Sequence, residues 1–96
     1  MSRPFFSPAS RRDLLEILDY IAQDKPRAAL RYVERLEEAC STLAANPGIG
    51  TARDDLLPHL RCLSVGSHVI FYLTTDEGID VVRVVHGARD IGRLFE

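Results

Sequence analysis

Residues 60–86 read LRCLSVGSHVIFYLTTDEGIDVVRVVH, and this stretch decides the fold. Val, Ile, Leu, Phe and Tyr crowd three runs, Leu60–Val65, His68–Thr74 and Ile79–His86, as buried strands require. Between the first two, Val65-Gly66-Ser67-His68 leaves a two-residue loop with glycine at its first central position, the residue that enters the backbone angles of a type II′ turn without strain. Thr75-Asp76-Glu77-Gly78 supplies the second turn. Three antiparallel strands in a meander follow. Strict alternation predicts that Val69, Phe71 and Leu73 point one way and Ile70 and Tyr72 the other, and that Ile79, Val81 and Val85 oppose Val82 and Val84. Both faces of such a sheet are apolar, and both need cover.

The cover lies upstream. From about Pro26 to Ala45, Ala29, Val33, Leu36, Cys40 and Leu43 recur at three- and four-residue intervals and form one helical seam, expected to pack against a preceding helix. Arg31 with Glu34 and Arg35 with Glu38 sit three apart on the opposite side, where each pair adds only about 0.2–0.5 kcal/mol and marks a solvated face. The preceding helix begins near Pro8, after Ser7 as N-cap with proline at the first helical position. Leu14, Leu15, Ile17, Leu18, Ile21 and Ala22 give it an apolar side, and Arg11, Arg12, Asp13, Glu16 and Asp19 a solvent side. Lys25-Pro26 breaks the periodicity, with Asp24 or Lys25 as the next cap, and makes the two helices a hairpin. Phe5-Phe6 ends a short N-terminal strand, and the segment from Asn46 to about Pro58 reads as a long loop.

Downstream, Ile91, Leu94 and Phe95 fall on one side of a helical turn or two, too short to hold in water undocked. The fold class is therefore α+β: an N-terminal strand, a helical hairpin packed on an antiparallel sheet of three to four strands, and a short C-terminal helix, all in one domain over residues 1–96. The hairpin covers one sheet face. The tail, alone or with the long loop, covers part or all of the other, and any remaining apolar groove suits an incoming peptide.

Composition narrows the function. With 46% hydrophobic and 27% charged residues the chain can bury a core, and at 96 residues a bound partner can supply much of its working stability. A net charge of −2 disfavours a broad grip on a phosphate backbone. Cys40 and Cys62 have no CxxC neighbour, and His59, His68 and His86 match no zinc spacing, so the cysteines read as reduced packing residues and no metal is expected. Gly48-Ile49-Gly50 follows a helix and lacks the lysine of a phosphate loop, so no nucleotide or other cofactor is expected. Neither a leader pattern nor an apolar run of ~18 residues is present, which points to a cytoplasmic protein with no membrane contact.

The run Arg83-Val84-Val85-His86-Gly87-Ala88-Arg89-Asp90 resembles the signature near the end of ParE-type toxins. Ser7-Pro8-Ala9 before Asp13-Leu14, Asn46-Pro47 with Gly50 and Arg53, and Arg61 leading to Val65-Gly66 with Ile70-Phe71-Tyr72 fit the same RelE/ParE family. The resemblance implies a helical hairpin on an antiparallel sheet, in agreement with the periodicity. It further implies the toxin of a type II toxin–antitoxin system, neutralised by a cognate ParD-like antitoxin in a hetero-oligomeric complex. RelE-like members cut messenger RNA on the ribosome, whereas ParE-like members bind DNA gyrase and stall it on cleaved DNA, and the fold does not choose between them.

RNA cleavage needs a base, an acid and a cation for the developing charge. Arg61, Arg83 and His86 stand at corresponding positions as an incomplete set. Phe95 cannot transfer a proton where several family nucleases carry a terminal tyrosine or histidine, and Lys25 is the only lysine. The reading that follows is a non-enzymatic inhibitor of gyrase that meets DNA only through gyrase or the antitoxin. The nuclease is the alternative, and a non-toxic partner-binding module of the same fold is a further one. Tyr72, Val82, Arg83, His86, Arg89, Asp90, Leu94 and Phe95 are the expected partner-binding residues. Against this, Arg89 and Asp90 also read as a helix-start pair, His86 as an ordinary strand-end histidine and Gly87 as the turn out of the strand.

Overall fold

The computed structural model describes residues 2–96. Two prolines mark the helix starts where backbone chemistry predicts them. Helix α1 runs Pro8–Ala22 and α2 runs Pro26–Ala45, each with proline in its first turn, where no N–H is needed. Ser7 caps α1 by accepting the Ser10 N–H at 3.0 Å. Lys25 takes the cap position of α2 but makes no side-chain capping bond.

The strands are β1 (Arg3–Phe6), β2 (Thr51–Ala52), β3 (Arg61–Val65), β4 (His68–Thr75) and β5 (Gly78–His86), in the spatial order β1-β5-β4-β3-β2. The expected meander β3-β4-β5 is antiparallel throughout, and Gly66 turns the first hairpin at φ 59°. One strand, β2, enlarges the sheet beyond the three to four expected, and the N-terminal strand joins it as β1. β2 arises inside the long loop, and β1 lies parallel to β5 in the register Arg3↔Gly78 to Phe6↔Val81, so the sheet is mixed. Phe5-Phe6 announces β1 but not its parallel pairing, and the two residues of β2 are too few to show alternation. What fixes β1 is the absence of a side chain at Gly78, where a Cβ would run into the Arg3 backbone.

A bulge corrects the expected facing of β5. Phe71 pairs with Arg83 but Tyr72 with Val81, leaving Val82 without an opposite residue, so alternation restarts there. Ile79, Val81 and Val84 consequently join Ile70 and Tyr72 on one face. That face packs on Leu36, Cys40, Leu43 and Ala44 of α2, with Leu14 and Ile17 of α1 at its margin, so the α2 seam meets the sheet as well as α1. Burial, with help from Glu37, pushes the Cys40 thiol up to about 12, consistent with an inert packing residue.

The other face is closed from two sides. Val69, Phe71, Val85 and Leu60 form a second core under Leu56 and Leu57 of the long loop and under Ile91, Leu94 and Phe95 of the tail, whose helix α3 spans Ile91–Leu94. Phe95 meets the Phe71 ring edge-on at 5.1 Å. What stays open is a groove of about 340 Å³ beside β1, between Phe5, Leu73 and Val82.

Tyr72, expected among the partner-binding residues, is wholly buried. Its hydroxyl donates to Pro47 O at 2.6 Å and accepts the Gly50 N–H at 3.0 Å, pinning the long loop to the sheet. Tyr72→Phe keeps the ring but orphans a buried N–H and a carbonyl, and is expected to cost about 1–3 kcal/mol in urea denaturation. A loss under about 0.5 kcal/mol would mean that water replaces the hydroxyl there.

Candidate partner-binding site

Past Val81, β5 has no strand on its outer side, and α1 takes over. Ser7 donates its N–H to Val81 O at 3.0 Å and its hydroxyl to Val82 O at 2.8 Å. Asp13 then receives three donors: Arg83 Nε at 2.7 Å, Arg83 Nη2 at 2.9 Å and the Val84 N–H at 2.9 Å. The two bonds to Asp13 hold the Arg83 guanidinium above the ordinary arginine value against the opposing effect of burial. Asp13 was expected on the solvent side of its helix but is only 7% exposed. The sign of this lay in its spacing, since Asp13, Ile17 and Ile21 are successive fourth residues and share one face.

Beyond that clamp, α1, Tyr32 of α2 and the end of the β4–β5 hairpin enclose a cleft of about 550 Å³. His68 and His86, paired across the hairpin, both line it, their rings 5.4 Å apart and edge-on. The Tyr32 hydroxyl lies 2.6 Å from His68 Nδ1 and accepts the Ser67 N–H at 3.1 Å. His86 Nδ1 accepts the Ala88 N–H at 3.0 Å. Burial first, and then His86, lower the His68 pKa. Glu16 and Arg89 also line the cleft, as does Tyr20, which is 76% exposed. Leu15 and Leu30 are further large apolar side chains left exposed on the hairpin.

The eight expected partner residues thus divide among several places. His86 and Arg89 share the cleft, and Arg83 is engaged by Asp13 beside it. Val82, Leu94 and Phe95 lie half-buried on the tail side of the sheet, and Tyr72 is interior. Asp90 occupies the cap position of α3 without making a capping bond, and faces Arg93 at 4.0 Å in an exposed pair that contributes little. Arg89 forms no ion pair among the described residues. Tyr32, His68 and Asp13 are the residues the sequence reading missed at this site.

The nuclease set does not assemble. Arg61 Nη2 donates to the Gly48 and Gly50 carbonyls, at 3.2 Å for the first, and so serves the loop at the β2 side. Arg83 is committed to Asp13 on a strand separated from β3 by β4, and His86 lines a cleft that neither arginine lines.

Comparison with known proteins agrees with this architecture. Residues 5–91 match the family model described as the ParE toxin of the type II toxin–antitoxin system parDE. Toxin ParE1 of Mycobacterium tuberculosis is 45% identical over 95 residues, covering 96% of each chain. Toxin RelE2 of Caulobacter vibrioides is 39% identical over 77 residues, 80% of this chain and 85% of that protein. In structure, the chain superposes on a component of the chromosomal ParDE system from P. aeruginosa with a TM-score of 0.76 at 20% identity, covering 90% of this chain and 96% of that one. It superposes on a chain of the M. tuberculosis toxin–antitoxin complex RelBE2 with a TM-score of 0.60 at 22% identity, covering 88% and 96%. With a family match spanning most of its length and a near full-length relative at this identity, the chain belongs to the ParE toxin family of type II toxin–antitoxin systems.

Proposed function

We propose that residues 1–96 act as one toxin domain in the cytoplasm, neutralised by a cognate antitoxin and, when free, binding DNA gyrase and favouring its DNA-cleaved state. The action is protein binding rather than catalysis, and DNA is met only through gyrase or the antitoxin. The carrying observation is that Tyr20, exposed on the hairpin, shares a cleft with His68, His86 and Arg89, whereas Arg61, Arg83 and His86 are dispersed and two of them serve the fold. A ligand shifts a conformational equilibrium only by binding one state more tightly, so the toxin's surface must fit the cleavage-competent enzyme better than the resting one. The two structural neighbours come from a ParDE system and a RelBE2 complex, which supports an antitoxin as the resident partner.

The relative named RelE2 motivates the second reading, a ribosome-dependent ribonuclease. Incubating the purified chain with gyrase and supercoiled plasmid, and separately with translating ribosomes, decides between them. Linear plasmid with intact message is the expected result. Cut message with untouched plasmid overturns it, and antitoxin binding without either effect identifies a non-toxic binding module.

A further inference from the structure

The cleft between α1 and the β4–β5 hairpin offers an incoming group mostly hydrogen-bond donors. Because a backbone N–H only donates, the Ala88 contact makes His86 Nδ1 an acceptor and leaves Nε2–H as its free ring atom. With the Tyr32 hydroxyl as the donor across its 2.6 Å contact to His68 Nδ1, His68 is left in the same condition. Arg89 adds donors and has no carboxylate partner among the described residues. Of the carboxylates facing the space, Asp13 is paired with Arg83, and Glu16 alone forms no ion pair among the described residues. Beside these groups the exposed Tyr20, with Ile17 and Ile21, provides an apolar platform.

We propose that this cleft receives a carboxylate side chain of the antitoxin, set next to an apolar residue of the same segment, and that seating it draws one proton onto His68. The inference rests on the antitoxin reading above. Counted as formal charges, Asp13 and Glu16 against Arg83 and Arg89, the free cleft and its clamp are neutral, so an added carboxylate leaves one negative charge in excess. Among the titratable groups that face the space, Asp13, Glu16 and Tyr20 from α1, Tyr32 from α2, His68, His86 and Arg89, only a histidine is able to supply the missing charge near neutral pH.

Geometry selects His68. When it gains a proton at Nδ1, that N–H donates to the Tyr32 oxygen, and the tyrosine proton turns to Val65 O, 3.4 Å away, while Ser67 keeps its bond. The bonds among Tyr32, His68 Nδ1 and Ser67 are thus kept in both states. Protonating His86 at Nδ1 would instead expel the Ala88 N–H, and a second cation 5.4 Å from the first is disfavoured.

The sign follows. Burial and His86 hold His68 below the usual histidine range in the free chain, and a bound carboxylate raises it. Affinity is therefore fully enhanced below the free-state pKa and declines as pH rises from it through the bound-state value, by at most about tenfold per pH unit for one proton.

Calorimetry of the full chain with its co-encoded antitoxin, in buffers of differing ionisation heat, should show proton uptake. His68→Gln should abolish the pH slope, and Arg89→Gln, at an exposed position, should weaken binding about tenfold or more without altering the fold. Binding that is independent of pH, or a slope retained in His68→Gln, overturns the proposal while leaving the antitoxin reading intact. If no antitoxin binds at any pH, that reading fails, and histidine NMR titration of the free chain with N-acetylglutamate N-methylamide decides the cleft separately. A rise in the His68 pKa supports the carboxylate site. No change, or an equal response to inorganic phosphate, refutes it.

Discussion

Asp13→Ala is expected to destabilise the folded chain by about 3 kcal/mol, a large share of the roughly 5–15 kcal/mol that holds a domain of this size. The substitution leaves two different groups unpaired. The Val84 N–H lies where β5 has already lost β1 as a neighbour, at a residue that is almost wholly buried, and no other acceptor is in place. A stranded buried donor costs about 1–3 kcal/mol. The Arg83 guanidinium, 23% exposed, loses its only carboxylate but is able to turn partly to water, which keeps the total at the lower end of the range for breaking a buried pair. Thermal unfolding should shift down by about 12–24 °C. Asp13→Asn, which retains one acceptor oxygen for three donors, should fall between. A loss under about 1 kcal/mol for the alanine variant would show that the clamp is not what holds α1 to β5.

Phe71→Ala should cost about 3–5 kcal/mol, because a fully buried aromatic ring is removed from the centre of the second core and its surroundings cannot collapse completely. The effect should reach the tail. Helix α3 has four residues and no stability of its own, so its position depends on Phe95 against Phe71 and on Ile91 and Leu94 beside them. Tryptic cleavage after Arg89 and Arg93 should accelerate in the variant well beyond what global destabilisation produces. A double-mutant cycle with Phe95→Ala should return a coupling of about 0.5–1.5 kcal/mol. Zero coupling would mean that the tail docks through Ile91 and Leu94 alone.

Both residues illustrate what was legible in the sequence. The helix limits were, because proline and serine act on the chain within a few residues, and so was the turn at Gly66. The docking of Ile91, Leu94 and Phe95 followed from the same local periodicity. The parallel pairing of β1 escaped, since four residues matched to a strand about 75 positions away leave no periodic trace. Val82 escaped because a bulge interrupts the alternation used to assign faces, and with it went the distinction between Tyr72, interior, and Val82, half-exposed. The cleft draws on α1, α2, both strands of a hairpin and the segment after it, so no single window of sequence contains it. Of its members, His86 and Arg89 were found through a family motif, and Tyr32 and His68 only through the fold.

The junction of α1 with β5 also bears on when the molecule becomes complete. The helical hairpin and the β3-β4-β5 meander each join neighbours in the chain and are able to form early. Ser7 and Asp13, by contrast, wait for Val81, Val82, Arg83 and Val84, so a loop of some seventy residues must close before those bonds contribute. During synthesis Ser7 and Asp13 are made long before β5 exists, so the clamp and the cleft beside it are completed only after residues 81–89 have been added.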